Sequence, residues 1–160
     1  MLNIRNLAVC GALVMAMSGA ANAQILKQAA DNVKPEISVR GGGMLTPRFG
    51  GLAGIDFAVP TISLSNGWQG RLDADVIFKA NFAGVNTIIP VTIDQIMYTP
   101  SVGGHTIYYG AGVGAVLGGS AKLDGKLILG TELTSKLGAE ANVHFTTNNT
   151  LVTVLVRLHL

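Results

Sequence analysis

The stretch TLVTVLVRLHL at residues 150–160 decides the fold of this chain, because apolar side chains occupy every second position. The apolar series is Val152, Val154, Val156, Leu158 and Leu160, and the polar positions between them are Thr153, Arg157 and His159. Leu155 is the exception. Successive side chains of a β-strand point to opposite faces. The stretch therefore predicts a strand with one apolar face and one polar face.

Seven further segments repeat this alternation, some less cleanly, and turn-forming residues such as Gly, Asn, Ser and Pro separate them. The predicted strands are 36–44, 49–59, 68–79, 86–97, 107–117, 127–134, 138–146 and 150–160. Most are about 9–11 residues long, the length that crosses a bilayer at a tilt, whereas strands of soluble proteins usually have five or six. We therefore predict an all-β chain that forms an eight-stranded antiparallel up-and-down transmembrane β-barrel.

The composition has few charged and many hydrophobic residues, which agrees with an exterior that faces lipid. Of 160 residues only 12% are charged, 49% are hydrophobic and 21 are glycine, and the mean hydropathy is +0.45. Soluble domains carry roughly 25% charged residues. The net charge of +2 comes without a cluster of Lys and Arg, which argues against nucleic acid as a partner.

The first 23 residues have the layout of a secretory signal peptide. Arg5 precedes an apolar run, and small residues end at Ala21-Asn22-Ala23, a typical cleavage site. A transmembrane anchor is the alternative, but the apolar run has about 11 residues and a spanning helix needs roughly 20. We therefore expect a cleaved signal at 1–23, a short leader at 24–35 and one barrel domain at 36–160. The only cysteine, Cys10, lies in the signal, so no disulfide is expected.

Two closed barrels fit this alternation. A soluble, lipocalin-like periplasmic barrel would bind an apolar ligand inside, and a membrane barrel would turn its apolar face to lipid. The remaining charges, which we assign mainly to turns, are Arg48, Lys79, Lys122, Asp124, Lys126 and Lys136. A soluble exterior with so few charges would precipitate, so the membrane barrel is favoured.

In the membrane barrel the polar faces line the lumen. The predicted lumenal network comprises Glu36, Arg40, Asp56, Arg71, Asp73, Asp75, Asp94, Glu132, Glu140, His144, Arg157 and His159. Buried charges must be paired and hydrogen-bonded. We expect the three arginines to bind carboxylates in bidentate fashion and the lumen to be plugged rather than open.

Candidate chemical sites are few. Asp73 and Asp75 on one strand face could bind a divalent cation, and His144 and His159 with Glu140 could bind zinc. Lumenal pairing is the favoured interpretation of both groups. No nucleophile motif such as G-x-S-x-G is present, so we expect neither catalysis nor a cofactor nor a bound metal.

Three segments carry a family resemblance: Ile89-Pro-Val-Thr-Ile93, Tyr108-Tyr-Gly-Ala-Gly-Val-Gly114 and Gly138-Ala-Glu-Ala-Asn-Val-His144. With the alternating last strand they resemble, in this order, the small porin-like outer-membrane barrels that group with the outer-membrane proteins A, W and X. The resemblance covers about 36–160. It implies an eight-stranded barrel in the outer membrane of a Gram-negative bacterium, with a periplasmic N-terminus and insertion by the barrel-assembly machinery. We expect a monomer surrounded by outer-membrane lipids, with a structural or narrow-porin-like role.

Features near the strand ends bear on insertion. Members of that family usually end in an aromatic residue that the assembly machinery recognises, whereas this sequence has Leu160. Trp68 and Tyr98 lie near predicted strand ends, where membrane barrels carry an interfacial aromatic girdle. Ordinary packing is the alternative for these two rings.

Overall fold

Eight strands form a closed barrel in the computed structural model, which describes residues 37–59, 62–64, 67–82, 84–101, 105–147 and 149–160. The strands are β1 Ile37–Thr46, β2 Gly50–Ala58, β3 Trp68–Phe82, β4 Val85–Tyr98, β5 Thr106–Leu117, β6 Lys122–Glu132, β7 Leu137–Thr146 and β8 Thr150–His159. Each strand is antiparallel to its neighbours, and β1 pairs with β8 to close the sheet. The described residues contain no helix that is long and apolar enough to cross a membrane. The predicted signal peptide, the leader and Glu36 lie outside the described residues.

The strand count and the antiparallel up-and-down topology are as predicted, but β3, β4 and β6 are longer than the sequence indicated by two residues or more. β3 and β4 extend to 15 and 14 residues. β6 begins at Lys122 rather than at residue 127. Asp124 and Lys126 therefore belong to a strand, where they pair with Gly114 of β5 and His144 of β7 respectively.

The barrel has two different ends. The turn end carries the short connections 47–49, 83–84, 118–121 and 147–149, and the terminal end carries the connections 59–67, 99–105 and 133–136 together with the end of β8. At the terminal end, residues 62–64 of the β2–β3 connection pack against the outside of the barrel. The Gln95 side chain donates to the Ile62 carbonyl at 2.8 Å and accepts from the Leu64 amide at 3.0 Å. This loop therefore satisfies a polar side chain on the otherwise apolar outer face of β4.

The outer face of the strands is apolar and exposed. The exposed large side chains on it include Ile37, Val39, Ile55, Leu72, Ile93, Ile107, Val113, Leu123, Leu129, Val154, Val156 and Leu158. They belong to seven of the eight strands, and Phe145 of β7 is also exposed, so together they form a continuous belt. Soluble monomers rarely expose contiguous apolar patches larger than a few hundred Å². This inside-out distribution is typical of a membrane barrel and opposite to that of a soluble carrier.

A β-bulge interrupts the alternation near the end of β3. Lys79 and Asn81 have φ values of 57° and 41°, and the β3–β4 register shifts between Phe78 and Phe82. Lys79 is the last residue of the predicted strand 68–79, and regular alternation would place it on the polar face with Asp73 and Asp75. That placement is wrong, because the bulge turns the Lys79 side chain to the exposed outside. Ala80 takes the inward position and is fully buried.

Candidate functional site: the charged lumen

Every predicted lumenal residue except Glu36, which lies outside the described residues, has its side chain on the inner face of the barrel. Those with little or no exposure are Arg40, Asp56, Arg71, Asp73, Asp75, Asp94, Glu140, His144, Arg157 and His159. The side chain of Glu132 is 20% exposed at the terminal end. The alternation of the strands brings these residues into the lumen, and the register decides which of them meet.

Two arginines hold the central layer of the lumen. Arg40 contacts both carboxylate oxygens of Asp75 and donates a further hydrogen bond to Asp73. Arg71 binds Glu140 at two points, with N–O distances of 2.7 and 3.1 Å, and contacts Asp73 at 3.0 Å and Asp94 at 3.3 Å. Arg–carboxylate pairs of this bidentate kind are among the strongest side-chain interactions. The Asp73/Asp75 pair thus serves as the acceptor for an arginine.

Lys126 completes the central layer, although its sequence position suggested a turn. Its Nζ contacts Asp73 and lies 2.9 Å from Asp94, and it reaches the Thr92 hydroxyl at 3.5 Å. The assignment of Lys126 and Asp124 to a turn is wrong, because both side chains are buried in the lumen. The same two-residue period that places Glu132 inward could have found them, had the strand been extended towards residue 122.

The two lumenal histidines lie far apart and bind different acids. His144 Nδ1 is 2.7 Å from Asp124, whereas His159 Nε2 is 2.8 Å from Glu132. His144 lies opposite Leu151 of β8, so about 26 Å of strand separates it from His159 at ~3.3 Å per residue. A shared zinc site with Glu140 is therefore geometrically impossible. The described residues also contain no group of three acidic, histidine or cysteine side chains suited to a metal ion.

A tyrosine–arginine layer lies between the central layer and the terminal end. Arg157 binds Asp56 at two points, at 2.9 and 3.1 Å, and contacts Glu132 at 3.2 Å. It also donates to the Tyr108 hydroxyl and lies 5.6 Å from the centre of that ring. Tyr98 packs on Tyr108 with ring centroids 5.2 Å apart. Tyr98 is therefore a lumenal residue, and of the two interpretations left open for it the structure shows packing rather than a place in an outer girdle.

The turn end of the lumen contains an apolar layer, with the buried Asp124–His144 pair beside its Leu151. The buried cluster there consists of Met44, Leu52, Ile77, Ala80, Ile88, Val116, Leu151 and Leu155. From one end to the other, the described lumen thus has an apolar layer, a central charged layer and the tyrosine–arginine layer.

Glycines on the inner face make room for these large side chains. A Cβ atom at Gly112 would collide with the Asp94 carboxylate, and one at Gly130 would collide with the Tyr108 ring. Tyr108 and Gly130 are directly paired across β5 and β6, an arrangement in which an aromatic ring covers a strand glycine. The glycine-rich β5 is therefore needed for packing as well as for the curvature expected of a barrel strand.

The described lumen carries more acids than bases. The cations are Arg40, Arg71, Lys126 and Arg157, and the carboxylates are Asp56, Asp73, Asp75, Asp94, Asp124, Glu132 and Glu140. The two histidines contact Asp124 and Glu132. Chemically, this arrangement holds strands together across the lumen: Arg40 of β1 reaches β3, and Arg71 of β3 reaches β7. Each cation is engaged by carboxylates within the barrel.

The comparisons with known proteins concern the fold. No protein-family model matches the chain, and no curated protein sequence is significantly similar to it. The chain is similar to a solved structure from the "De novo design of transmembrane beta-barrels", with a TM-score of 0.52 over 80% of this chain and 98% of that one. The fold is a transmembrane-type β-barrel. The two sequences are 10% identical, so the similarity is one of architecture, and membership of the small porin-like family stays a prediction.

Proposed function

We propose that this protein is a non-enzymatic outer-membrane β-barrel with a structural role in the cell envelope and a lumen closed to solutes. The observation that carries the proposal is the pairing of lumenal charges inside a barrel whose outer face is apolar. The exposed belt requires a lipid environment, and the paired interior resembles the core of a folded protein more than the wall of a pore.

Burial along the lumen supports closure. Ile77 and Ile88 in the apolar layer and Asp94 in the central layer have no exposed surface, and Arg71 is only 1% exposed. A water-filled channel through the described residues would leave the side chains that line it accessible. Eight-stranded barrels are just wide enough to be filled by side chains. The arginines and tyrosines of this lumen are large side chains, so they fill it.

The apolar-ligand carrier is disfavoured on the same grounds. Such a carrier needs an apolar cavity inside and a polar surface outside. Here charged groups occupy the middle of the described lumen, and large apolar side chains cover the exterior. The partners that fit this surface are membrane lipids.

The remaining parts of the proposal concern biogenesis. The signal-like first 23 residues support export across the inner membrane, and the ordered motifs described above support insertion by the barrel-assembly machinery. We propose that the barrel is a monomer, since closure leaves no unpaired strand edge at which another chain could add.

Planar-bilayer recording on the refolded chain tests the closed lumen. We expect no unitary conductance, while a large porin in the same bilayer gives regular steps. Slower or faster migration of unheated than of boiled protein in detergent gels verifies that the barrel has folded. Reproducible unitary steps would contradict the closed lumen and would favour the narrow-channel role.

Fractionation of cells that express the tagged chain tests the location. We expect the protein in the outer-membrane fraction. Recovery of the processed chain in the soluble periplasmic fraction would overturn the membrane location and would revive the carrier.

A further inference from the structure

Charge is strictly sorted between the lumen and the outside of the turn end. All Asp and Glu side chains among the described residues lie in the lumen. On the outside of the turn end, Arg48 and Lys79 are exposed, and neither forms an ion pair with a described residue. The connections at this end, including their undescribed positions, contain no Asp or Glu in the sequence. The outer rim of the turn end is therefore cationic.

The β-bulge in β3 orients the Lys79 side chain towards this outer rim. The inward positions of β3 are 69, 71, 73, 75 and 77, so regular alternation would direct Lys79 into the apolar layer beside Ile77. With φ of 57° at Lys79, the chain adopts a left-handed conformation that is uncommon for residues other than glycine. Bulges re-aim side chains and are retained where that serves a purpose. Here the bulge exchanges a lysine for Ala80 in the lumen and leaves the lysine outside.

Two aromatic side chains lie beside these cations. Gly51 pairs with Phe78 across β2 and β3, which places the β1–β2 turn with Arg48 and Phe49 next to Lys79. Phe49 is 81% exposed and Phe78 is 48% exposed. We call Arg48, Phe49, Phe78 and Lys79 the turn-end patch. It combines exposed aromatic rings with adjacent cations.

The height of the apolar belt places the turn-end patch at a membrane interface. Trp68 begins β3 at the terminal end, and Phe78 lies on the same outer face towards the turn end. At ~3.3 Å per residue and a tilt of ~40°, the strand rises about 25 Å between them. This is about the height of the apolar band between the aromatic girdles of outer-membrane barrels. Phe78 is then at the hydrocarbon boundary, and Lys79 reaches the headgroup layer.

We infer that the turn-end patch binds the phosphate of an anionic lipid headgroup in the leaflet around the turn end. The phenylalanines insert at the acyl boundary, and the guanidinium and ammonium groups contact the phosphate. The positive charge of the turn-end patch is complementary to a phosphate group. The short turns leave little protein surface beyond the membrane, which favours a lipid over a protein partner. The inference rests on the proposed membrane location of the barrel.

Native mass spectrometry of the folded full chain in a neutral detergent, titrated with phosphatidylglycerol, tests the inference. We compare the parent chain with R48Q, K79Q and the double variant. Each cation near a membrane surface contributes enough to change the affinity by about fivefold. We therefore expect phosphatidylglycerol to bind about fivefold more weakly to each single variant and up to about 25-fold more weakly to the double variant.

The matched control is K136Q, which removes an exposed cation from the β6–β7 connection at the terminal end. We expect this variant to bind like the parent chain, and K79R to retain most of the affinity. An equal loss in K136Q, or no loss in the double variant, would overturn the inference. Displacement of the lipid by inorganic phosphate alone would also overturn it, because it would show a free-anion site.

The migration of heated and unheated protein separates this test from the proposed function. Variants that fold and insert but keep the full affinity contradict only the turn-end patch. Failure of the parent chain itself to insert into vesicles contradicts the membrane location, and with it both proposals.

Discussion

Replacing Arg71 by methionine tests whether lumenal ion pairs hold this barrel together. Methionine has a similar length but no charge, so the change removes the contacts and keeps much of the volume. Arg71 contacts Glu140 at 2.7 Å, Asp73 at 3.0 Å and Asp94 at 3.3 Å. Hydrogen bonds to charged groups contribute about 1.5–3 kcal/mol each. Arg71 makes four such bonds, two of them to Glu140, and adding them would place the upper bound of the loss at about 6–12 kcal/mol.

The remaining cations reduce this figure. Asp73 and Asp94 keep their contacts with Lys126. Glu140 keeps Arg40 at 3.6 Å. No carboxylate is therefore left entirely without a counter-charge. We expect R71M to lower the free energy of unfolding by about 3–5 kcal/mol, as for other buried pairs that lose one partner.

Urea titration of the barrel in lipid vesicles measures this change. Trp68 is the only tryptophan, so its fluorescence reports unfolding, and linear extrapolation yields the free energy in water. The exposed-site variant K136M is the control and should stay within about 0.5 kcal/mol of the parent chain. Adding E140Q to R71M should restore at least about 1 kcal/mol, because it removes one of the acids that lost its partner. A loss below about 1 kcal/mol in R71M would refute the reasoning, since it would mean that the lumen solvates its charges as water does.

Three other substitutions probe the glycine packing, the Asp124–His144 contact and the exposed apolar belt. G130A puts a methyl group into the tyrosine ring that covers this glycine and should lower the free energy of unfolding by about 1–3 kcal/mol in the same titration. G41A, whose methyl group would meet no atom, should be nearly neutral, and equal losses would argue against the packing explanation. H144L removes the 2.7 Å hydrogen bond between the His144 ring and the buried Asp124 carboxylate and should cost about 1.5–3 kcal/mol. The added change D124L should recover part of that loss, and no recovery would show that the pair itself is not the cause. I93R in the exposed belt should cost about 2–4 kcal/mol in vesicles, and an unchanged unfolding midpoint would contradict contact of Ile93 with lipid.

Much of the architecture could be predicted because strand alternation is a local property. Residues 150–160 show which side chains share a face without reference to any other strand. The same period indicated eight strands, and the shortage of charge indicated an apolar exterior. The predicted lumenal residues in the described part of the chain lie on the inner face for this reason.

The errors fall where neighbouring strands decide the outcome. Asp124 and Lys126 resemble turn residues, and a strand can bury them only because Asp73, Asp94 and His144 converge on them from other strands. Position in the sequence carries no information about that convergence.

The outward position of Lys79 has a similar origin. The bulge at this site breaks the period that the prediction used, and the apolar layer on the other side of the wall makes the outward position favourable.

By itself, the sequence determined the class of fold, the number of strands and the polarity of each face, because the two-residue alternation of polar and apolar residues can be recognised within a single strand. Only the tertiary structure decided which charges pair, how the lumen divides into layers and that His144 and His159 lie near opposite ends. These depend on register, and register is set jointly by all eight strands when the barrel closes. The same closure turns a scattered set of acids and bases into the buried network that we propose seals the barrel.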